Sequence, residues 1–382
     1  MIPMAGPVDI AGRKVGYGEP VFVIAEAGSN HNQDLRLAKR LIEAAAYAHV
    51  DAVKFQLFRA DWLYPSNCGP VDTPMGVVDF YEVLRRFALP SEWVRELKAY
   101  AEERGLIFLC TPFDEIAVSL LASLSVPAFK IASPELNHLP LLRAVAHYQK
   151  PIICSTGLST LCDIEEALQS IRAEWPAASV ILLQCVAAYP LPIEQCNLDV
   201  VRTLREAFGV PVGFSDHTTD NESVPAIAVA AGACTIEKHF TLDHTLPGPD
   251  HPFALEPDEL RGMVRTIREL ESIELEERIA SISRRLGENR VKTILGHGRK
   301  EIMPAEQPLY PNDKRSIHAF KNIRSGEALS RENIRILRSE RNLTPGLHPR
   351  HWTTVLGAVA MQDIPEGMGV KWEHLLTRSI RV

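Results

Sequence analysis

Val210–Thr241 reads VPVGFSDHTTDNESVPAIAVAAGACTIEKHFT, and this stretch decides the fold. Two short apolar runs, Pro211–Ser215 and Cys234–Thr241, flank an alanine-rich helical segment at Ser223–Ala231. A helix between two strands is the connection that lays them parallel and side by side. Side chains alternate across a strand, so Glu237 and His239 share one face while Ile236, Lys238 and Phe240 take the other. In Gly213-Phe214-Ser215-Asp216-His217 the polar residues arrive where the apolar run stops. Either histidine alone reads as an ordinary strand-end side chain. Two imidazoles on adjacent parallel strands, with Ser215, Asp216 and Glu237 beside them, read as a site for a divalent cation that leaves positions open for water and substrate.

Outward from this unit the same alternation repeats. Strand patterns fall at Val21–Ala27, Asp51–Phe58, Leu106–Thr111, Ala128–Ser133, Pro151–Thr156 and Val180–Val186, ahead of the two above. Helical spacing fills the gaps at Leu35–Ala48, Val77–Phe87, Ser91–Arg104, Glu115–Leu124, Leu139–His147, Leu161–Arg172 and Leu198–Phe208, and again at Glu256–Glu271. Eight such units in about 250 residues predict a closed (β/α)8 TIM barrel over an open doubly wound sheet. No G-x-G-x-x-G opens a helix after a strand, so the dinucleotide alternative lacks its fingerprint. Val8–Val15 reads as a small hairpin ahead of the barrel.

A barrel gathers its reactive groups at the C-terminal ends of the strands. Glu26 ends strand one, Lys54 and Gln56 share a face of strand two, and Thr111 ends strand three. Lys130 and Ser133 lie on strand four, Ser155 ends strand five, and strand six runs into Tyr189-Pro190. A lysine inside a barrel strand is costly unless an anion neutralises it. Lys54 and Lys130 therefore predict a doubly charged ligand such as phosphate, with Thr111, Ser133, Ser155 and Ser215 as hydroxyl donors. Schiff-base chemistry is the competing use of either lysine.

The 382 residues are 46% hydrophobic and 23% charged with a formal net charge of -7, which argues against a nucleic-acid or membrane surface. The seven cysteines never form C-x-x-C, against both a disulfide framework and a zinc knuckle. The start of the chain lacks a secretory pattern and no segment is apolar enough to span a bilayer, so the cytoplasm is the expected location. From about Glu274 to Pro311 the pattern changes to a charged helix and then a proline-rich polar linker. This divides the chain into a barrel at 1–285, a linker at 286–313 and a small domain at 314–382. About 65 residues of short strands are too few for a second catalytic domain. A lid, a binding module and an oligomerisation piece are the readings open for them.

Nine segments, in chain order, carry a wider likeness: IAEAGSNHN, DAVKFQLF, FLCTPFD, AFKIAS, PIICSTG, QCVAAYPLP, GFSDHT, IEKHFTLD and PGPDHPF. They resemble the sialic acid synthase family, enzymes that condense phosphoenolpyruvate (PEP) into nonulosonic acids. The tail resembles the antifreeze-like (SAF, β-clip) domain those synthases carry. The resemblance implies condensation of PEP with the open-chain aldehyde of an N-acylated amino sugar, of N-acetylmannosamine or 2,4-diacetamido-trideoxyhexose type, with C–O cleavage and release of phosphate. It implies that His217 and His239 hold a divalent metal, usually manganese, with magnesium and cobalt as alternatives. Lys54, Thr111, Lys130, Ser133, Ser155 and Ser215 would hold PEP, Glu26 and Glu237 would handle protons, and Tyr189, Asp250 and Asn67 would orient the sugar. It implies a domain-swapped homodimer in which Arg338, or its neighbour Arg341, enters the partner's site. Two departures stand out. The family usually continues Arg-Pro-Gly where this chain has Arg338-Ser339-Glu340-Arg341-Asn342, and Val186-Ala187-Ala188 replaces a frequent hydroxyl or amide, which leaves the sugar open. A non-catalytic sugar or PEP binding barrel and a PEP-independent aldolase are the alternatives.

Overall fold

Inward and outward side chains alternate along each strand and build two shells around one cylinder. The computed structural model describes residues 5–73, 76–340 and 343–375; Arg341 lies outside the described residues. Among these, eight parallel strands form one sheet: β1 (Phe22–Gly28), β2 (Ala52–Leu57), β3 (Ile107–Pro112), β4 (Phe129–Ile131), β5 (Ile152–Ser155), β6 (Val180–Cys185), β7 (Val212–Asp216) and β8 (Thr235–His239). Neighbours run β3-β2-β1-β8-β7-β6-β5-β4, and β3 lies against β4, so the sheet closes on itself as the predicted barrel.

Outward residues such as Val23, Val53, Phe55, Phe108, Phe129 and Phe214 pack beneath the helices in the main core. Inward residues low in the barrel, among them Phe22, Ile24, Leu109, Ile153, Ile181 and Leu183, form a separate apolar layer. A hairpin of Val8–Ile10 with Arg13–Val15 plugs that end, adding Val8, Ile10 and Val15 to the layer. Each such side chain stabilises the fold by about 1.5–3 kcal/mol when fully buried. One layer higher the inward positions turn polar, and there the site begins.

The structure corrects the stretch after β2. Helical spacing predicts one helix over Val77–Phe87, but Gly76–Asp79 pairs antiparallel with Pro70–Thr73 and the helix begins at Phe80. Val77 and Val78 favour the extended backbone, and Asp79 caps the helix by accepting from the Glu82 N–H. Ser91–Trp93 is a short 3-10 turn ahead of a helix at Val94–Glu102.

Past the barrel, helices at Leu275–Leu286 and Glu288–Leu295 lead into a segment that reads as a spacer yet is pinned down. Glu306 within it is fully buried and accepts from the backbone N–H groups of Leu158 (2.7 Å) and Ala187 (2.8 Å) in the loops after β5 and β6. The C-terminal SAF domain pairs β9 (Ser316–Ala319) with β10 (Ile334–Leu337) over its own core of Ile317, Leu329, Ile334, Val355, Ile364 and Val370. Among the described residues no helix is long and apolar enough to cross a membrane.

Candidate active site

Strand register brings the polar inward residues to one level. Ser215 stands opposite Glu237, Glu26 opposite both His239 and Lys54, and Gln56 opposite Thr111. Gly28 follows Glu26 at φ +50°, and a Cβ there would sit 3.2 Å from Asp250 Oδ2 and 3.5 Å from Glu26 Oε1. Glycine is therefore what lets these two carboxylates close in over the end of β1.

The centre is a buried chain of alternating charge. Lys54 Nζ lies 2.6 Å from Glu26 Oε2 and 3.6 Å from Glu237 Oε2, and Lys130 Nζ lies 3.4 Å from Glu237 Oε1. Hydroxyls and an amide surround it. Lys54 donates to Thr111 Oγ1 (3.3 Å), Lys130 to Ser155 Oγ (2.7 Å), Ser215 to Glu237 Oε1 (2.9 Å) and Gln56 to Glu26 Oε1 (2.6 Å). Ser133 Oγ accepts from the Gly157 N–H at 2.9 Å, and a Cβ on Gly157 would sit at that same 2.9 Å from it.

Burial and neighbours pull these groups apart in proton affinity. Burial raises the Glu26 carboxyl, with Lys54 opposing and Glu237 reinforcing the shift. Burial acts the same way on Glu237, but Lys130 and Lys54 outweigh it and hold that carboxyl down to about 2. Burial lowers the Lys130 ammonium, while Lys54 overcomes its own burial through Glu237 and Glu26 and is raised. Burial also raises Asp250, to about 6, with Glu26 adding to it. Glu237 Oε2 is buried with no hydrogen-bond partner among the described residues.

The two imidazoles meet as the pattern predicts, their ring centroids 5.7 Å apart. His217 Nδ1 lies 2.8 Å from the Val186 carbonyl. A carbonyl only accepts, so Nδ1 carries a proton and Nε2 is the nitrogen left for a ligand. Burial works against charge on this imidazole, but Cys185 and the Val186 carbonyl outweigh it and raise it. His239 Nδ1 is buried without a hydrogen bond, 3.8 Å from Asp250 Oδ2, and burial followed by His217 pushes its imidazole well below the usual range. A divalent cation binds deprotonated imidazole nitrogens, the form that burial favours at His239, and binding at His217 would displace a proton. Among the described residues no group of three or more His, Cys, Asp and Glu side chains is arranged for a metal. The fit is to a cation held by two nitrogens and completed by water and substrate.

Tyr189 roofs the pair, its half-exposed ring 4.0 Å from that of His217, with Phe253 5.3 Å from His239. Asp216, grouped with the histidines above, does not join them. It is one residue out of phase and faces the helices, where it pairs with Lys238 at 2.8 Å. Asn67 and Arg338 also lie away from the lysine cluster. Asn67 donates to the Glu366 carbonyl (2.9 Å), and Arg338 binds Glu135 Oε1 through Nη2 (2.6 Å), both where the SAF domain meets the barrel. Three further residues escaped the sequence reading. Cys185 Sγ lies 3.9 Å from His217 Nδ1, and the strand-end rule that found Ser155 would have found it. Lys300 reaches Gln184 Oε1 (3.1 Å) and Glu306 binds the β5 and β6 loops, both from a segment whose composition reads as linker.

Residues 41–278 match the NeuB family and residues 314–376 the SAF domain. The spore coat polysaccharide biosynthesis protein SpsE of Bacillus subtilis is 43% identical over 372 residues, 97% of each chain. Its crystal structure superposes with a TM-score of 0.83 at 40% identity, covering 98% of this chain and all of that one. The N,N'-diacetyllegionaminic acid synthase of Legionella pneumophila is 34% identical over 94% of this chain and 96% of its own. The pseudaminic acid synthase of Helicobacter pylori is 34% identical over 90% and 94%. With an ionic barrel mouth, a SAF domain and these relatives, the chain belongs to the NeuB family of sialic acid synthases, enzymes of the transferase type.

Proposed function

We propose that the chain condenses PEP with an N-acylated amino-sugar aldehyde to give a nonulosonic acid and phosphate. The observation that carries this reading is the pair of buried lysines flanking Glu237, 3.6 and 3.4 Å from its oxygens, with Thr111 and Ser155 already bonded to them. An anion bound between Lys54 and Lys130 would add to the negative charge that Glu237 places between them, and Ser133, Ser155, Thr111 and Ser215 offer it hydroxyls. Relatives named as synthases of legionaminic and pseudaminic acids support an acceptor of that class.

In the proposed reaction PEP carbon 3 attacks the aldehyde carbon, and carbon 2, left cationic, takes up water. The tetrahedral intermediate then expels phosphate by breaking the C–O bond. Lys54 and Lys130 neutralise the departing phosphate. Glu237, held ionised, stabilises positive charge near carbon 2, and Glu26, whose carboxyl is raised by burial, is the group suited to hold and release a proton. Tyr189 and Asp250 line the side where the sugar would enter. His217 and His239 would hold a divalent ion, manganese with magnesium or cobalt as alternatives, whose chemistry when bound is Lewis acidity toward an aldehyde oxygen. We further propose a cytoplasmic homodimer in which Arg338 serves the partner's site; within the single chain it faces the chain's own Glu135.

Phosphate release from PEP with manganese tests the reaction, with N-acetylmannosamine, its 6-phosphate and the diacetamido-trideoxyhexoses offered in parallel. Chelator-sensitive release with one sugar, abolished in His217→Ala, is the expected result; a chain that fails to bind PEP ends the reading. Co-expression of Lys54→Ala with Arg338→Ala chains tests the swap, since only sites assembled from two chains regain activity.

A further inference from the structure

Arg315, the second residue of the SAF domain, is fully buried, and each of its guanidinium nitrogens is bonded. Nε donates to Glu135 Oε2 (2.6 Å), Nη1 to the carbonyls of Trp62 (2.6 Å) and Ile336 (3.1 Å), and Nη2 to the Phe113 carbonyl (3.2 Å). Its backbone is clamped as well: Asn137 Nδ2 donates to the Arg315 carbonyl (2.8 Å) and Asn137 Oδ1 accepts from its N–H (3.1 Å). Trp62, Phe113 and Glu135 lie in the loops that follow β2, β3 and β4. Those three strands carry Lys54, Thr111 and Lys130, and Glu135 stands two residues beyond Ser133 in the same 3-10 turn. Glu135 is itself fully buried and spans the seam, holding Arg315 on one oxygen and Arg338 on the other. Five donors in a rigid fork are what allows one side chain to tie three loops, a task that lysine's compact ammonium cannot perform.

We propose that Arg315 and Glu135 are positioning residues that couple docking of the SAF domain to the shape of the PEP cradle. Undocking removes the fork from the loops after β2, β3 and β4 together, so docking and PEP binding favour one another. By linkage each then strengthens the other by the same factor. The inference rests on the PEP reading above and holds whether the docked domain comes from the same chain or from a partner.

The test uses the full chain. Hydrogen exchange of wild type with and without PEP is expected to show slower exchange at residues 316–337, none of which is proposed to touch PEP. In Glu135→Gln, nearly isosteric, PEP binding weakens by about fivefold or more, the KM for PEP rises more than kcat falls, and the protection at 316–337 is lost. A purely structural role would lower the melting temperature and leave PEP affinity alone. Arg315→Lys, which keeps the charge and loses the fork, is expected to repeat the effect. Unchanged exchange in wild type with PEP bound, or wild-type PEP affinity in both folded variants, overturns the coupling alone. No PEP binding by wild type overturns the functional reading and the coupling with it.

Discussion

Two clusters of buried charge lie one loop apart in this molecule, and they are built on opposite principles. In the barrel mouth Lys54, Glu26, Glu237 and Lys130 alternate, yet Glu237 Oε2 and His239 Nδ1 are buried with no hydrogen bond among the described residues. Burial there shifts Glu26 up and Lys130 down, each toward its neutral form. At the seam with the SAF domain, Glu135 and Arg315 are also fully buried, but each guanidinium nitrogen of Arg315 and both carboxylate oxygens are bonded. Arg315 and Arg338 overcome the burial of Glu135 and keep its carboxyl below the usual range. Buried polar groups are normally satisfied, and those left unsatisfied and shifted gather where a ligand is to complete them. On the proposed reading, substrate would supply the partners the mouth is short of, whereas the Arg315–Glu135 pair already holds its own.

That contrast sets the order of expected effects. Lys130→Met removes an ammonium that burial already disfavours and leaves Glu237 with Lys54. We expect PEP turnover to fall by about 10²–10³-fold with little change in the unfolding midpoint. A variant that unfolds along with its activity would show the mouth to be as structural as the seam. Arg315→Met does the reverse. It strips one partner from a buried carboxylate, a change that costs about 3–5 kcal/mol, seen in denaturant titrations as early release of the SAF domain. Stability near that of wild type would mean that the saturated seam contributes little to docking.

The barrel mouth was legible in the sequence for a local reason, and the seam was not. Alternation along VKFQ, FKI, GFS and IEKH places each polar side chain inside or outside within a few residues, so Lys54, Lys130, Ser215, Glu237 and His239 could be assigned to one face of a barrel whose strand count was already clear. The same rule, applied strictly, would have sent Asp216 outward to Lys238; grouping it with the histidines followed nearness in sequence instead of phase. Arg315 and Glu135 are 180 residues apart, and no period or motif links them. Glu306 and Lys300 sit in a segment whose prolines and charges read as a spacer, and their burial comes from the loops they land on. The hairpin before Phe80 was missed because two valines also fit a helical stripe. Local geometry is written in local sequence, whereas docking depends on the whole fold.

The smallest expected effect tests the edge of the seam. Asp313, in the short helix Tyr310–Asp313, is raised to about 6 by burial, with Arg338 opposing and Glu340 reinforcing the shift. The unfolded chain releases this proton near 3.8. Between those values the folded state holds more protons than the unfolded one, so the contribution of Asp313 is fully present below about pH 4 and is lost as pH rises through about 6. Asp313→Asn carries no charge at any pH. The difference in unfolding free energy between variant and wild type should therefore grow from near zero at low pH to roughly 3 kcal/mol, in favour of the variant, above about pH 6. Lys130, Glu26 and Glu237 titrate alike in both proteins and cancel from that difference. A difference that stays flat across the range would mean that Asp313 keeps its water when the SAF domain docks, and that the seam saturates only at its Arg315–Glu135 centre.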